Sequence, residues 1–183
     1  WFQKRLQELN GQWSSRGIPE IKMRIGINTG SVVAGNMGTQ QIFNFTILGD
    51  NVNLSSRLEG VNKEYGTRTI ISQYTRDHIG DLFALRELDF IRVKGKSTPV
   101  AIYELADLSG SLPPERKRVF ELYADGLDMY RRRQWRQAGE AFQEALSIDP
   151  ADGPSRTLRE RCLYFEGSPI PSPWDGVFEM KTK

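Results

Sequence analysis

The apolar residues of this chain repeat with two different periods, and the pattern changes over once, near residue 107. Before that point strand and helix periods alternate. Met23, Ile25 and Ile27 are interleaved with Arg24, Gly26 and Asn28, the period of a half-buried strand. Residues 31–36, 43–48, 67–71, 84–93 and 100–105 also read as extended. Phe2, Leu6, Leu9 and Trp13 stand at helical spacing, as do Leu54, Leu58 and Val61. Asp50 is placed to cap a helix over 50–65, and Ser72 a short one over 72–79. After the changeover, Ser109-Gly110-Ser111 and Pro113-Pro114 make 108–114 a linker by composition. Helical stretches follow over 115–130 and 134–148, and Asp152-Gly153-Pro154 starts a third that runs to about Phe165. Pro169, Pro171 and Pro173 exclude a helix from the last stretch, which is expected to pack as an extended tail through Trp174 and Phe178. The pattern predicts an α+β unit with a mainly antiparallel sheet, followed by an all-α segment.

Composition excludes several classes. With 25 Lys and Arg against 23 Asp and Glu, the net charge of +2 is no field for a dedicated nucleic-acid binder, and no nucleic-acid partner is expected. One cysteine, Cys162, and one histidine, His78, leave nothing for a disulfide framework or a Cys/His zinc site. His78 reads as a surface residue, and there is no G-x-S-x-G elbow for a hydrolase. No apolar run approaches the roughly 20 residues that span a bilayer, so no membrane contact is expected from this segment. The expected location is cytoplasmic, with room for a membrane anchor upstream. The chain opens at Trp1 inside a helical pattern, so it is expected to be a piece of a longer protein.

Glycines 26, 30, 35 and 38 invite a phosphate-loop reading. Asn36-Met37 follows Gly35 where Lys-Ser/Thr would be needed, so turns and a hairpin are the better account. Asn53 and Arg57 are four apart and share one face near a helix start. Such a pair holds an anion, because the free N–H groups and the dipole favour negative charge and the guanidinium matches phosphate oxygens. A solvated polar face accounts for the same spacing. Lys94-Gly95-Lys96 sits between two predicted strands, either closing over phosphates or standing as an exposed loop. Arg131-Arg132-Arg133 reads as a solvated turn between helices.

Three longer stretches carry a resemblance. Residues 23–38, from Met23-Arg24-Ile25-Gly26 to Gly35-Asn36-Met37-Gly38, resemble the central hairpin of class III nucleotidyl cyclases. Leu48-Gly49-Asp50-Asn51-Val52-Asn53-Leu54-Ser55-Ser56-Arg57-Leu58-Glu59 is similar to the signature helix of that family. Val93-Lys94-Gly95-Lys96, with 99–105 after it, resembles the closing hairpin. The resemblance covers roughly residues 1–106. It implies a partial, ferredoxin-like cyclase domain in which two copies pair head to tail, with sites at the interface. It also implies that ATP becomes cyclic AMP and pyrophosphate, with Asn53 orienting the ribose and Arg57 stabilising the α-phosphoryl charge. Lys96, or else Lys94, matches the lysine on the terminal phosphates, and Thr46 matches a base-selecting position, favouring ATP over GTP.

The same resemblance implies Mg2+ or Mn2+ held by two aspartates. Residues 1–22 contain no aspartate, so those ligands and a base-selecting lysine are expected upstream of this chain, and the 183-residue chain alone is expected to be inactive. Gly126, Ala138, Phe142, Ala145 and Pro150 fall at positions of one tetratricopeptide repeat, which cannot bury both its faces alone. The resulting division is 1–107 for the C-terminal half of a catalytic domain, 108–114 linker, 115–167 tetratricopeptide-like helices and 168–183 proline-rich tail. A protein partner for the helices fits this division. A guanylate cyclase and a non-catalytic interaction module are the alternatives.

Overall fold

The computed structural model describes residues 1–39, 42–92, 98–168 and 174–179. A helix α1 (Phe2–Ser14) precedes a short strand β1 (Ile25–Ile27) and two longer strands, β2 (Val33–Thr39) and β3 (Ile42–Leu48). Helix α2 (Asp50–Tyr65) follows, then β4 (Thr69–Ser72), α3 (Gln73–Ile79), β5 (Phe83–Arg92) and β6 (Val100–Leu108). Three helices, α4 (Pro114–Arg131), α5 (Trp135–Ile148) and α6 (Gly153–Glu166), and a last strand β7 (Val177–Glu179) complete the order.

Among the described residues the strands form a five-stranded sheet, β1-β4-β6-β5-β7, and a separate β2–β3 hairpin. The sheet is mixed rather than purely antiparallel: β4–β6 and β5–β6 are antiparallel, while β1–β4 and β5–β7 are parallel. The reason is topological. Parallel neighbours need a crossover. Here α2 returns the chain from the β1 end to β4, and the three helices return it from β6 to β7 beside β5.

Helix α2 lays Leu54, Leu58, Val61 and Tyr65 on the sheet, where they share one buried cluster with Ile70, Leu88, Ile91 and Ile102. The same cluster continues into Tyr123, Leu127, Phe142 and Leu158 of the helices. The helices therefore bury one of their faces against the sheet. Gly126 makes room for Phe142, whose Cε1 would lie 2.7 Å from a Cβ at 126. Trp174 packs against Tyr130, Trp135 and Phe165, with ring centroids 5.1–5.6 Å apart, while the side chain of Phe178 lies outside what is described.

Buried ion pairs fasten the helices to the sheet. Arg86 of β5 bonds both oxygens of Asp152, at 2.8 and 2.9 Å, and also Glu104 of β6. Burial works against the Arg86 charge, but Glu104 and Asp152 outweigh it and raise its pKa. Asp152 also caps α6, accepting from the Ser155 amide at 3.0 Å. Burial would raise the Asp152 carboxyl, but Arg86 and Ser155 hold it below the usual range. Arg132 and Arg133 are exposed in a turn between helices, as expected, but Arg131 departs from the reading of 131–133 as a solvated turn. It is half-buried, ion-paired with Glu87, and lies over the Phe90 ring at 4.3 Å. The cause is the docking of α4 on β5, which brings the end of α4 over the sheet.

No helix among the described residues is long and apolar enough to cross a membrane.

Candidate active site

Asn53 and Arg57 lie one turn apart in the first half of α2, and both are exposed. Their presentation follows from what the rest of the helix does. The apolar stripe at 54, 58, 61 and 65 faces the sheet. A polar stripe beside it grips β1 and the loop that follows. Ser55 Oγ donates to the Gly26 carbonyl at 2.8 Å, and Asn62 Nδ2 to the Ile25 carbonyl at 3.0 Å. Glu59 pairs with Arg24 at 2.7 Å. Asn51 Nδ2 donates to the Ser31 carbonyl at 2.9 Å, while Asn28 Nδ2 reaches the Asn51 carbonyl at 3.1 Å. Asn28 in turn accepts from Ser72 Oγ at 2.6 Å. Two faces of α2 are thus fixed, and at about 100° per residue Asn53 and Arg57 occupy the remaining one.

The grip on β1 depends on Gly26. A Cβ there would collide with the Glu59 amide nitrogen and Ser55 carbonyl oxygen and approach the Leu58 carbonyl carbon to 2.8 Å. Gly26→Ala is expected to destabilise the chain by about 1–3 kcal/mol or more through overpacking against backbone that has nowhere to move. The urea midpoint of the purified variant measures it.

The cap of α2 lies one residue before the expected one. Gly49 is the N-cap and offers no side-chain acceptor, while Asp50 lies in the first turn instead of capping it. Asp50 interacts favourably there with the positive end of the helix dipole. Thr46 pairs with Gly35 across the β2–β3 hairpin, half-buried, on the strand that leads through Gly49 into α2. The structure therefore joins Thr46, Asn53 and Arg57 through one strand–turn–helix unit. Lys94 and Lys96 lie outside the described residues. His78 is exposed, as expected, with Nδ1 2.6 Å from the Tyr74 carbonyl oxygen.

No group of three or more His, Cys, Asp or Glu side chains among the described residues could hold a metal ion. The described residues do not fit a cation centre.

Sequence reasoning missed the supports of α2. Asn51, Ser55 and Asn62 carry a signal, since polar residues at spacings of four and seven mark one helix face. Tyr65, Asp89 and Arg161 carry none, because the residues that meet are far apart in the chain. Tyr65 Oη donates to Asp89 Oδ2 at 2.6 Å, and Arg161 bonds the same oxygen at 2.6 Å. Burial pushes the Asp89 carboxyl above the usual range, against the pull of Arg161 and Tyr65.

A family model described as "Adenylate and Guanylate cyclase catalytic domain" matches residues 2–106. The chain is 39% identical over 151 residues to "Adenylate cyclase, terminal-differentiation specific" of Dictyostelium discoideum, covering 78% of this chain and 7% of that protein. It is 39% identical over 103 residues to "Adenylate cyclase 1" of Rhizobium meliloti (strain 1021), covering 56% of this chain and 16% of that one. Its fold is similar to the crystal structure of the adenylyl cyclase CyaB from P. aeruginosa, with 38% identity and a TM-score of 0.52 over 60% of this chain and 56% of that one. It is also similar to that of the guanylyl cyclase Cya2, with 33% identity and a TM-score of 0.50 over 58% and 53% of the two chains. The chain spans 7 and 16% of the lengths of the two curated relatives. The Dictyostelium match covers more of the chain than residues 2–106, so it runs on into the helices.

Proposed function

Because the chain belongs to the adenylate and guanylate cyclase catalytic domain family, we propose that it supplies the C-terminal half of a domain that converts ATP to 3′,5′-cyclic AMP and pyrophosphate. The observation that carries this reading is the pair Asn53 and Arg57, exposed on the one face of α2 that neither the sheet nor β1 occupies. The 3′-hydroxyl oxygen bonds to the α-phosphorus, the bond to the β-phosphate oxygen breaks, and pyrophosphate leaves with the electron pair while the hydroxyl proton passes to a base. Asn53 orients the ribose so that its hydroxyl is in line. Arg57 places a planar, permanently charged fork against α-phosphoryl oxygens whose negative charge grows in the transition state. Thr46 reads the adenine amino edge, since a hydroxyl both donates and accepts. Lys96, with Lys94 as the second choice, binds the terminal phosphates.

Mg2+ or Mn2+ supplies charge neutralisation to this class of reaction. Its carboxylate ligands, and a base-selecting lysine, are assigned to polypeptide outside residues 1–183. A second copy of the domain, paired head to tail, completes the site in the proposed assembly. Residues 108–114 are read as a linker, and 115–167 as a single tetratricopeptide-like unit able to take a protein partner. The reaction is placed in the cytoplasm. The likeness to the guanylyl cyclase Cya2 favours a second reading, with GTP as substrate.

The test is product formation. A protein that carries these residues within a complete catalytic domain is expected to make cyclic AMP from ATP. The 183-residue chain alone, with Mg2+ or Mn2+, is expected to make none. Cyclic AMP from the isolated chain would refute the assignment of the metal ligands to other polypeptide.

A further inference from the structure

Helix α6 starts against the end of the helix that presents Asn53 and Arg57. Its first residue, Gly153, lies against the last residue of α2, where a Cβ would collide with the Tyr65 carbonyl oxygen and sit 2.9 Å from the Gly66 Cα. One turn on, the Thr157 hydroxyl is 2.9 Å from the Glu64 carbonyl oxygen. Another turn on, Arg161 reaches Tyr65 Oη at 3.1 Å and Asp89 at 2.6 Å. Positions 153, 157 and 161 form one stripe of α6 laid on the end of α2. The Glu64 carbonyl is one of the last four of its helix, which have no partner within it, so Thr157 satisfies it. The contact also sets the positive end of the α6 dipole at the negative end of α2.

Helix α2 is a rod pinned at both ends. Asn51 ties its start to the loop after β1, and the α6 stripe holds its finish. At 1.5 Å per residue, Arg57 and Asn53 stand about 12 and 18 Å from Tyr65 along the rod. Loosening the far pin lets the rod tilt, and displacements of an ångström at a reacting centre cost up to about 10²-fold in rate.

We propose that Arg161 is a positioning residue for the cyclase site: by gripping Asp89 and Tyr65 it makes the appended helices set where Asn53 and Arg57 meet the nucleotide. This rests on the role assigned above to Asn53 and Arg57. Two measurements test it together. In the 183-residue chain, Arg161→Met is expected to speed amide exchange in residues 58–65 about tenfold, with the central strands unchanged. In a protein with a complete catalytic domain it is expected to lower kcat about tenfold with KM for ATP little changed, and Arg161→Lys to recover part of the loss. Unchanged exchange, or faster exchange with kcat within about twofold of wild type, overturns the proposal. Arg57→Ala run beside it separates the two failures. If Arg57→Ala abolishes turnover and Arg161→Met does not lower it, only the positioning role falls. If Arg57→Ala has no effect, the site assignment falls, and exchange alone still reports whether Arg161 pins α2. Where Arg161→Met does not fold, Tyr65→Phe combined with Thr157→Val is judged by the same two readouts.

Discussion

Replacing Arg57 by alanine in a protein with a complete catalytic domain is expected to lower turnover about 10²- to 10³-fold, the usual cost of one lost donor to a transition-state oxyanion. The loss should fall on kcat and kcat/KM alike, because the charge on the α-phosphoryl oxygens grows only on the way to the transition state. Folding should be little affected. The residues that hold α2 are Leu54, Leu58, Val61 and Tyr65 on the sheet side and Asn51, Ser55 and Asn62 on the β1 side. Arg57 is exposed, and substitution of an exposed side chain usually changes stability by no more than about 0.5 kcal/mol. Arg57→Lys is expected to recover little, since a point charge does not reproduce a fork matched to two phosphate oxygens. A higher KM with kcat intact would mean that Arg57 binds substrate and transition state equally.

Arg86→Met is the second large effect, and it falls on stability. The Arg86 side chain is 3% exposed and sits between Glu104 and Asp152, at 9% and 8%. It also lies over the rings of Phe120 and Tyr123, at 4.4 and 4.8 Å. Removing the guanidinium leaves two carboxylates facing each other with water largely excluded, Asp152 losing its guanidinium partner and Glu104 keeping Arg116 at 3.1 Å, a change that costs about 3–5 kcal/mol. Asp152 caps α6, so the damage spreads to the helix that grips α2. A fall of that size in the free energy of urea unfolding checks the prediction, and a loss below about 1 kcal/mol would mean that the cluster is wet. Adding Glu104→Gln and Asp152→Asn to Arg86→Met should return part of the stability, because the stranded charges are then gone.

What could be read from the sequence was local. The stripe at Leu54, Leu58 and Val61 is buried as its spacing requires, because a helix repeats within a dozen residues. Ser72 caps α3 as expected, accepting from the Thr75 amide at 3.3 Å. Asn53 and Arg57 were visible for the same reason: four residues apart on one helix, they need no long-range information. The sheet's parallel pairs were not visible. Strand β1 meets β4 only after the β2–β3 hairpin and α2 have intervened, and β7 follows the whole helical segment before it pairs with β5. Nor were the fastenings. Arg86 and Asp152 are 66 residues apart, and Arg161 and Asp89 are 72, so no periodicity links them. Arg131 misled because a basic run between helices usually meets solvent, whereas here Glu87 and Phe90 wait under it.

The most direct test of the cyclase assignment is the product made from equal concentrations of ATP and GTP by a complete catalytic domain containing residues 1–183, followed with and without Arg57→Ala. The expected result is cyclic AMP as the main product, with its formation suppressed about 10²-fold or more by the substitution. Cyclic GMP as the main product would reverse the role given to Thr46. No cyclic nucleotide from either substrate, or formation indifferent to Arg57, would contradict the chemistry proposed for this helix.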